Sequence, residues 1–259
     1  MTSTSTTPRS ATGSVALRGV TKVYGQGEQA VLALDGLSLD VAPGEFVCMV
    51  GASGCGKSTL LNLVAGLDRA SGGAIELGEG VNPGLMFQEP ALFPWLTVEG
   101  NVEVPLKLRG LPRDQRKERV AELLRTVHLS EFGRKRPHQL SGGMRQRVAL
   151  ARTLALETPV LLMDEPFGAL DAMTRDILHD ELERIWREQQ LTVLFVTHNV
   201  REAVRLADRT ILMESGPGRV KSEFAVELPR PRHLEDHAVA EMTGALTREL
   251  KAEVARHVA

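Results

Sequence analysis

The chain has 259 residues, 42% of them hydrophobic and 25% charged. That suits one large α/β domain, or one such domain with an attached helical subdomain. A formal net charge of −2 gives no strong bulk field to draw it onto nucleic acid or an anionic membrane, and 4% aromatic residues are too few for a base-stacking platform. The two cysteines, Cys48 and Cys55, argue for a reducing compartment rather than a disulfide framework. No apolar run approaches the ~18 residues of a membrane span. The Ser/Thr-rich residues 1–13 lack a signal-peptide core and are expected to form a disordered tail. The chain is therefore expected to be intracellular, with any membrane role coming through a partner.

Residues 15–24 and 31–41 alternate apolar and polar side chains, as half-buried strands do. After the turn at Ala42-Pro43-Gly44-Glu45, residues 46–50 are continuously apolar, as in a buried central strand. A glycine-rich loop follows, then a helix over 57–67 that ends near Gly66. Residues 84–88 predict a short strand. The middle third changes character: 97–108, 113–129 and 143–156 carry helical spacing, broken by Pro112 and Pro137, which predicts a mostly helical insert at roughly 89–157. Strands return at 160–163 and 192–196 around a helix at 172–189, with later strands at 210–214 and 219–227. Residues 228–232 are an extended linker. From about Asp236 a terminal helix carries Val239, Met242, Leu246 and Leu250.

Gly51-Ala52-Ser53-Gly54-Cys55-Gly56-Lys57-Ser58-Thr59, between a strand and a helix, is a P-loop in its required context. The glycines let backbone N–H groups turn inward on phosphate, and the helix start adds its dipole. Lys57 is expected to reach the β- and γ-phosphates, and Ser58 to ligate Mg²⁺. The apolar strand at 160–163 ends in Asp164 and Glu165. Asp164 is placed to hold a Mg²⁺-bound water, and Glu165 to polarise the attacking water. Leu140-Ser141-Gly142-Gly143-Met144 is a second phosphate-binding signal. A chain with two such cradles either binds two anions or shares each with a second copy of itself.

With Arg145-Gln146-Arg147, that second segment resembles the signature motif of the ATP-binding subunits of ABC transporters. The resemblance covers roughly residues 15–230, with its motifs in the family's order. It implies an α/β fold: a P-loop NTPase core with a RecA-like mixed sheet, flanking helices and an N-terminal antiparallel β subdomain, plus a helical signature-motif subdomain. The core is expected at 14–88 and 158–228, the helical subdomain at 89–157, and a C-terminal linker and helix at 229–259.

The resemblance also assigns roles. Tyr24 matches the aromatic residue that stacks on adenine. Gln88 matches the glutamine that contacts Mg²⁺ and the attacking water and links the site to the transmembrane partner. Asp171 matches the aspartate at the dimer interface, and His198 the switch histidine on the γ-phosphate. Ser141, Gly142 and Gly143 of one copy would cover the ATP held by Lys57 of the other, so that two ATPs are buried in a head-to-tail dimer. Met144 stands where the commonest family form has glutamine.

The implied function is the ATP-hydrolysing subunit of a membrane importer, peripheral at the cytoplasmic face of the plasma membrane. Its implied partners are a second copy, transmembrane permease subunits and, indirectly, a periplasmic or extracellular solute-binding protein. Nucleic acid is not among them. Residues 88–98 and 166–171 look most like importers of nitrate, sulfonates, taurine and similar compounds, although the segment 78–83 is shorter than usual there. A soluble ABC ATPase of cluster assembly or nucleic-acid and ribosome work, and an exporter ATPase, are the alternatives. Phe87 and residues 92–96 form an apolar cluster suited to permease docking. Cys55 is not needed for the chemistry; if the empty loop is open it reacts with thiol reagents, and ATP is expected to slow its alkylation. His233 and His237, and the run 134–136, are expected to be solvated surface.

Overall fold

The computed structural model describes residues 13–258, the last two by backbone only. The expected tail at 1–12 lies outside them. Gly13 is buried, and a Cβ there would stand 2.8 Å from the Thr192 hydroxyl.

Two sheets form the frame. β1 (Val15–Tyr24) pairs antiparallel with β2 (Val31–Val41) and with β4 (Gly72–Leu77), in the order β2-β1-β4. The second sheet holds β3 (Phe46–Val50), β5 (Gly84–Met86), β6 (Val160–Asp164), β7 (Thr192–Val196), β8 (Arg209–Glu214) and β9 (Arg219–Ala225). Its order is β5-β6-β7-β3-β8-β9, parallel except for the β8–β9 pair. β3 is thus interior, and five parallel strands deliver their carboxyl ends to one edge. In such sheets, ligands bind at that edge.

The apolar runs of β3, β6 and β7 are continuous because both faces are covered. Phe46, Cys48, Val50, Leu161, Met163, Val193 and Phe195 enter one apolar cluster with the helices. The alternate residues Val47, Met49, Val160, Leu162, Leu194 and Val196 enter another with β1 and β2. α1 (Lys57–Val64) belongs to the second cluster through Leu60, Leu61, Leu63 and Val64. α2 (Val98–Leu108), α3 (Arg113–Thr126), α4 (Gly142–Leu154), α5 (Ala172–Gln189), α6 (Val200–Leu206) and α7 (His237–Val258) all contribute to the first. Between residues 89 and 157, the regular structure is helical throughout.

Two elements carry no clear sequence signal. β4 contains two glycines. Gly73 has φ +78°, and a Cβ on it would fall 2.3–2.4 Å from the carbonyls of Gly19 and Arg18, where β1 is irregular. α6 is too short for helical periodicity to show; it is capped by the Asn199 side chain, which accepts from Arg201 N–H at 3.0 Å. The terminal helix begins at His237, and the strand expected at 219–227 ends at Ala225.

Candidate nucleotide site

The glycine loop leaves the central strand β3 and enters α1 through Gly56, whose φ of +91° is open to glycine. Side chains are excluded for a second reason. A Cβ on Gly56 would lie 2.6 Å from Leu34 Cδ2, and one on Gly51 would lie 2.7 Å from Cys55 Sγ. The antiparallel subdomain therefore walls the loop. It is clipped there by Gly218 N–H donating to Ala33 O, Asp35 N–H donating to Gly218 O, and an ion pair between Arg219 and Asp35.

Lys57 is buried. Its ammonium donates to Gly51 O at 2.9 Å and Ala52 O at 2.8 Å, and meets Cys55 Sγ at 3.4 Å. Cys55 is itself fully buried, which overturns the expectation of a reagent-accessible thiol. The loop folds its third side chain under Lys57, so nucleotide is not needed to cover it.

Asp164 closes β6 beside β7, in register with Val196. It is 8% exposed, and its Oδ1 is buried with no hydrogen-bond partner. Burial raises its carboxyl above the ordinary range; Glu165 pushes the same way, while the Ser58 hydroxyl and Lys57 oppose it. Glu165 adopts φ +46°, a left-handed turn uncommon for a side chain this long, and its N–H donates to Val196 O at 2.9 Å. The turn presents Oε2 to two partners. His198 Nδ1 lies 3.0 Å away and Gln88 Nε2 lies 3.4 Å away. Three residues predicted from separate segments thus meet on one carboxylate oxygen, because β5, β6 and β7 are neighbours and end at the same edge.

The signature segment lies elsewhere. Ser141 caps α4, its hydroxyl accepting from Met144 N–H at 3.2 Å. Gly143 packs on the next predicted motif: a Cβ there would lie 3.1 Å from Leu170 Cδ2 and 3.4 Å from Ala169 O. Asp171 caps α5, with Oδ1 accepting from Thr174 N–H at 3.0 Å and Oδ2 from its hydroxyl at 2.7 Å. Those two bonds hold its carboxyl below the ordinary range. Ser141, Gly168, Ala169, Asp171 and Met173 are all exposed, so the two segments form one solvent-facing surface. Met144 is half-buried against the large apolar cluster, a packing role that accounts for an apolar side chain at this position.

Tyr24 ends β1 and is 41% exposed. Its hydroxyl donates to Asp68 at 3.1 Å, and Lys22 Nζ lies 4.7 Å from its ring centroid. Among the apolar residues expected to suit docking, Trp95 is 68% and Phe87 41% exposed, while Leu92 packs inward. Buried Asn101 fixes this stretch by accepting from Phe93 N–H at 2.8 Å and donating to Thr97 O at 2.9 Å. His233, His237 and residues 134–136 are exposed.

Sequence reasoning missed three supports. Gln146 is buried on α4 and donates to Gln88 O at 3.4 Å. Arg152, two turns on, donates to Ala91 O at 2.8 Å and Pro90 O at 2.9 Å, so the signature helix holds the backbone that follows β5. Glu202 is buried on α6. It accepts from the Thr197 hydroxyl at 2.6 Å and lies 3.7 Å from His179 and 3.5 Å from Arg175. Arg175 in turn donates to Leu170 O at 2.9 Å. Burial acts to raise the Glu202 carboxyl, but the contacts with His179 and Thr197 outweigh it and hold the group below its ordinary range. The position of Glu202, four residues after His198, was the available signal.

A glycine loop after a central parallel strand, with paired acids ending a nearby strand, defines a P-loop nucleotide hydrolase. A family model described as ABC transporter matches residues 34–168. The nitrate import ATP-binding protein of Synechocystis sp. is 47% identical over 206 residues, 77% of each chain. The aliphatic sulfonates import ATP-binding protein of Bacillus licheniformis is 45% identical over 225 residues, 85% of this chain and 87% of that one. Among solved structures, the cassette MJ0796, a dimer in a post-hydrolysis state bound to ADP and Pi, superposes with a TM-score of 0.76 at 35% identity, covering 83% of this chain and all of that one. The chain belongs to the ABC transporter ATP-binding family and is an ATP hydrolase. No helix among the described residues is long and apolar enough to cross a membrane.

Proposed function

We propose that two copies of this chain hydrolyse ATP at shared sites and drive an importer for a small anion. The observation that carries the reading is the meeting of Gln88, Glu165 and His198 at one carboxylate oxygen, on the sheet edge that also carries Lys57. Glu165 accepts the proton of the attacking water as the water oxygen bonds to the γ-phosphorus, and the bond from that phosphorus to the β-phosphate's bridging oxygen breaks, so that ADP and inorganic phosphate leave. Gln88 and His198 hold that carboxylate and orient the water and γ-phosphate. Lys57 leaves the carbonyls of Gly51 and Ala52 for the β- and γ-phosphates, while the loop N–H groups, including those of Ser53, Gly54, Gly56 and Thr59, cradle the rest. Tyr24 stacks on the adenine.

The residues present fit a divalent cation. Asp164 is an acid with an unpartnered oxygen shut away from water, and the Ser58 hydroxyl acts on it. Ser58, Asp164 and Gln88 would hold Mg²⁺, which neutralises charge on the β- and γ-phosphates.

The exposed surface of Ser141–Gly143 and Gly168–Met173 supports the head-to-tail pairing. It offers N–H groups at a helix start beside the exposed Met173, 76% accessible. The named relatives support a nitrate- or sulfonate-like cargo. The division into a core at 14–88 and 158–228, a helical subdomain at 89–157 and a C-terminal element at 229–259 belongs to this reading. The helical subdomain, with Phe87 and Trp95 at its edge, meets permease subunits at the cytoplasmic membrane face, and a solute-binding protein supplies the cargo from outside. The test is Glu165→Gln with ATP. A closed dimer that binds but does not turn over ATP is expected; full turnover overturns the reading.

A further inference from the structure

The C-terminal helix leaves an open groove of about 1140 Å³ against the start of α6, with residues 198–201 forming one wall. Side-chain size on α7 makes it. Ala240, Thr243, Gly244 and Thr247 recur at helical spacing and all line the groove. A Cβ on Gly244 would meet nothing nearer than the Arg248 guanidinium, at 3.6 Å. The wall does not simply collapse to fill this space, because α7 is pinned elsewhere. Lys221 pairs with Glu253 of α7 at 2.9 Å, and Arg232, in the linker before α7, donates to the carbonyls of Val204, Ala207 and Val226. Val239 and Leu246 are buried in the core.

The lining has one sign of charge. Arg201, Arg248 and Lys251 border the groove, and no acidic residue does. None of the three has a carboxylate partner among the described residues. Arg205, one turn along α6 from Arg201, by contrast engages both Asp176 and Asp180. The Thr243 hydroxyl oxygen, also at the groove, is shut off from solvent with no hydrogen-bond partner. Val200, Leu250 and Val254 supply an apolar floor. Cations above such a floor suit an amphipathic anion and disfavour a cation or a neutral polar solute.

We propose that this groove binds a small organic anion, a sulfonate or carboxylate head on an apolar body, and that its occupant slows ATP turnover by restraining His198. The head lies among Arg201, Arg248 and Lys251, and the body covers Val200, Leu250 and Val254. His198 connects groove to chemistry, because it borders the groove and also holds Glu165 Oε2 at 3.0 Å. The binding half does not depend on the ATPase reading, since it is measured without nucleotide.

The test is calorimetry on the full chain with hexane-1-sulfonate, against hexan-1-ol and hexyltrimethylammonium. One sulfonate per chain is expected to bind, with neither control doing so. Combined Arg248→Glu and Lys251→Glu is expected to weaken it by about tenfold or more. Gly244→Leu, which fills the groove on a face open to it, is expected to abolish binding with the helical circular dichroism retained. Equal binding of the three probes, or wild-type affinity in the charge-reversed chain, overturns the site. In a second arm, saturating sulfonate is expected to lower the turnover of the wild type and not of Gly244→Leu. Unchanged wild-type turnover at saturation overturns the regulatory half.

Discussion

The strand ends and the start of α4 both carry residues proposed to act on phosphate, but they are finished to different degrees. At the ends of β5, β6 and β7 the polar groups already engage one another: Glu165 holds His198 and Gln88, and Lys57 is satisfied by loop carbonyls. At the start of α4 the groups satisfy only their own helix. Ser141 caps Met144, and the surrounding surface faces solvent. Its inward contacts run to Leu170 and, through Gln146, to the backbone of Gln88. A region whose polar groups hold one another is positioned before nucleotide arrives. A region that ends in outward N–H groups awaits an anion brought by something else. The difference argues that one chain carries a nucleophile-activating half-site and, separately, a covering half-site.

The largest expected effect breaks the first region. Glu165→Gln keeps the shape of the side chain but removes the proton acceptor, so turnover is expected to fall by about 10²- to 10⁴-fold, with ATP affinity retained. A phosphate-release assay beside equilibrium ATP binding checks both. Lys57→Ala is expected to move the other quantity. Loss of the charged donor should weaken ATP binding by about 100-fold. An unchanged affinity would place the phosphates elsewhere.

Glu202→Gln probes the support that joins the two regions, since Glu202 touches Thr197, beside His198, and Arg175, which reaches Leu170. The folded carboxyl titrates below its ordinary range. Its ionised contacts therefore stabilise the fold above the ordinary glutamate value of about 4.3, and that contribution is lost as pH falls through the folded value. Glu202→Gln is expected to cost about 2 kcal/mol near neutral pH, and the gap to wild type should close in acid. Denaturant unfolding at several pH values reads this; a gap independent of pH would contradict it. Met144→Gln is the smallest change. A half-buried side chain at the edge of the core is being exchanged for one of similar length, so a stability loss of about 1 kcal/mol or less is expected. Turnover should stay near wild type in the same phosphate-release assay, and a large loss would give Met144 more than a packing role.

What the residues disclosed in advance depended on range. The glycine loop, the acids ending β6 and the Ser141-Gly142-Gly143 start of α4 are local, so spacing alone displayed them, whereas Asp171 came with the family resemblance. The meeting of Gln88, Glu165 and His198 depends on strand order, which no local pattern encodes; the family resemblance supplied the residues and the sheet supplied the reason. β4 stayed hidden because its glycines serve a close approach to β1 rather than an alternating face. Cys55 was misjudged because its loop position suggested exposure, whereas the turn folds it beneath Lys57. Gln146 and Arg152 tie α4 to residues 88–91, contacts between distant segments that no local pattern encodes.

The central claim is that the covering half-site acts on the other copy's nucleotide. Its most direct measurement mixes two inactive chains. Lys57→Ala lacks the lysine proposed for the phosphates, and Ser141→Arg is expected to block the cover while leaving monomer ATP binding intact. A mixed dimer of the two holds one site in which an unaltered Lys57 faces an unaltered Ser141. Mixing is expected to restore ATP hydrolysis that neither chain shows alone. If the mixture stays as inactive as its components, the two half-sites do not complete one another across copies, and the account fails.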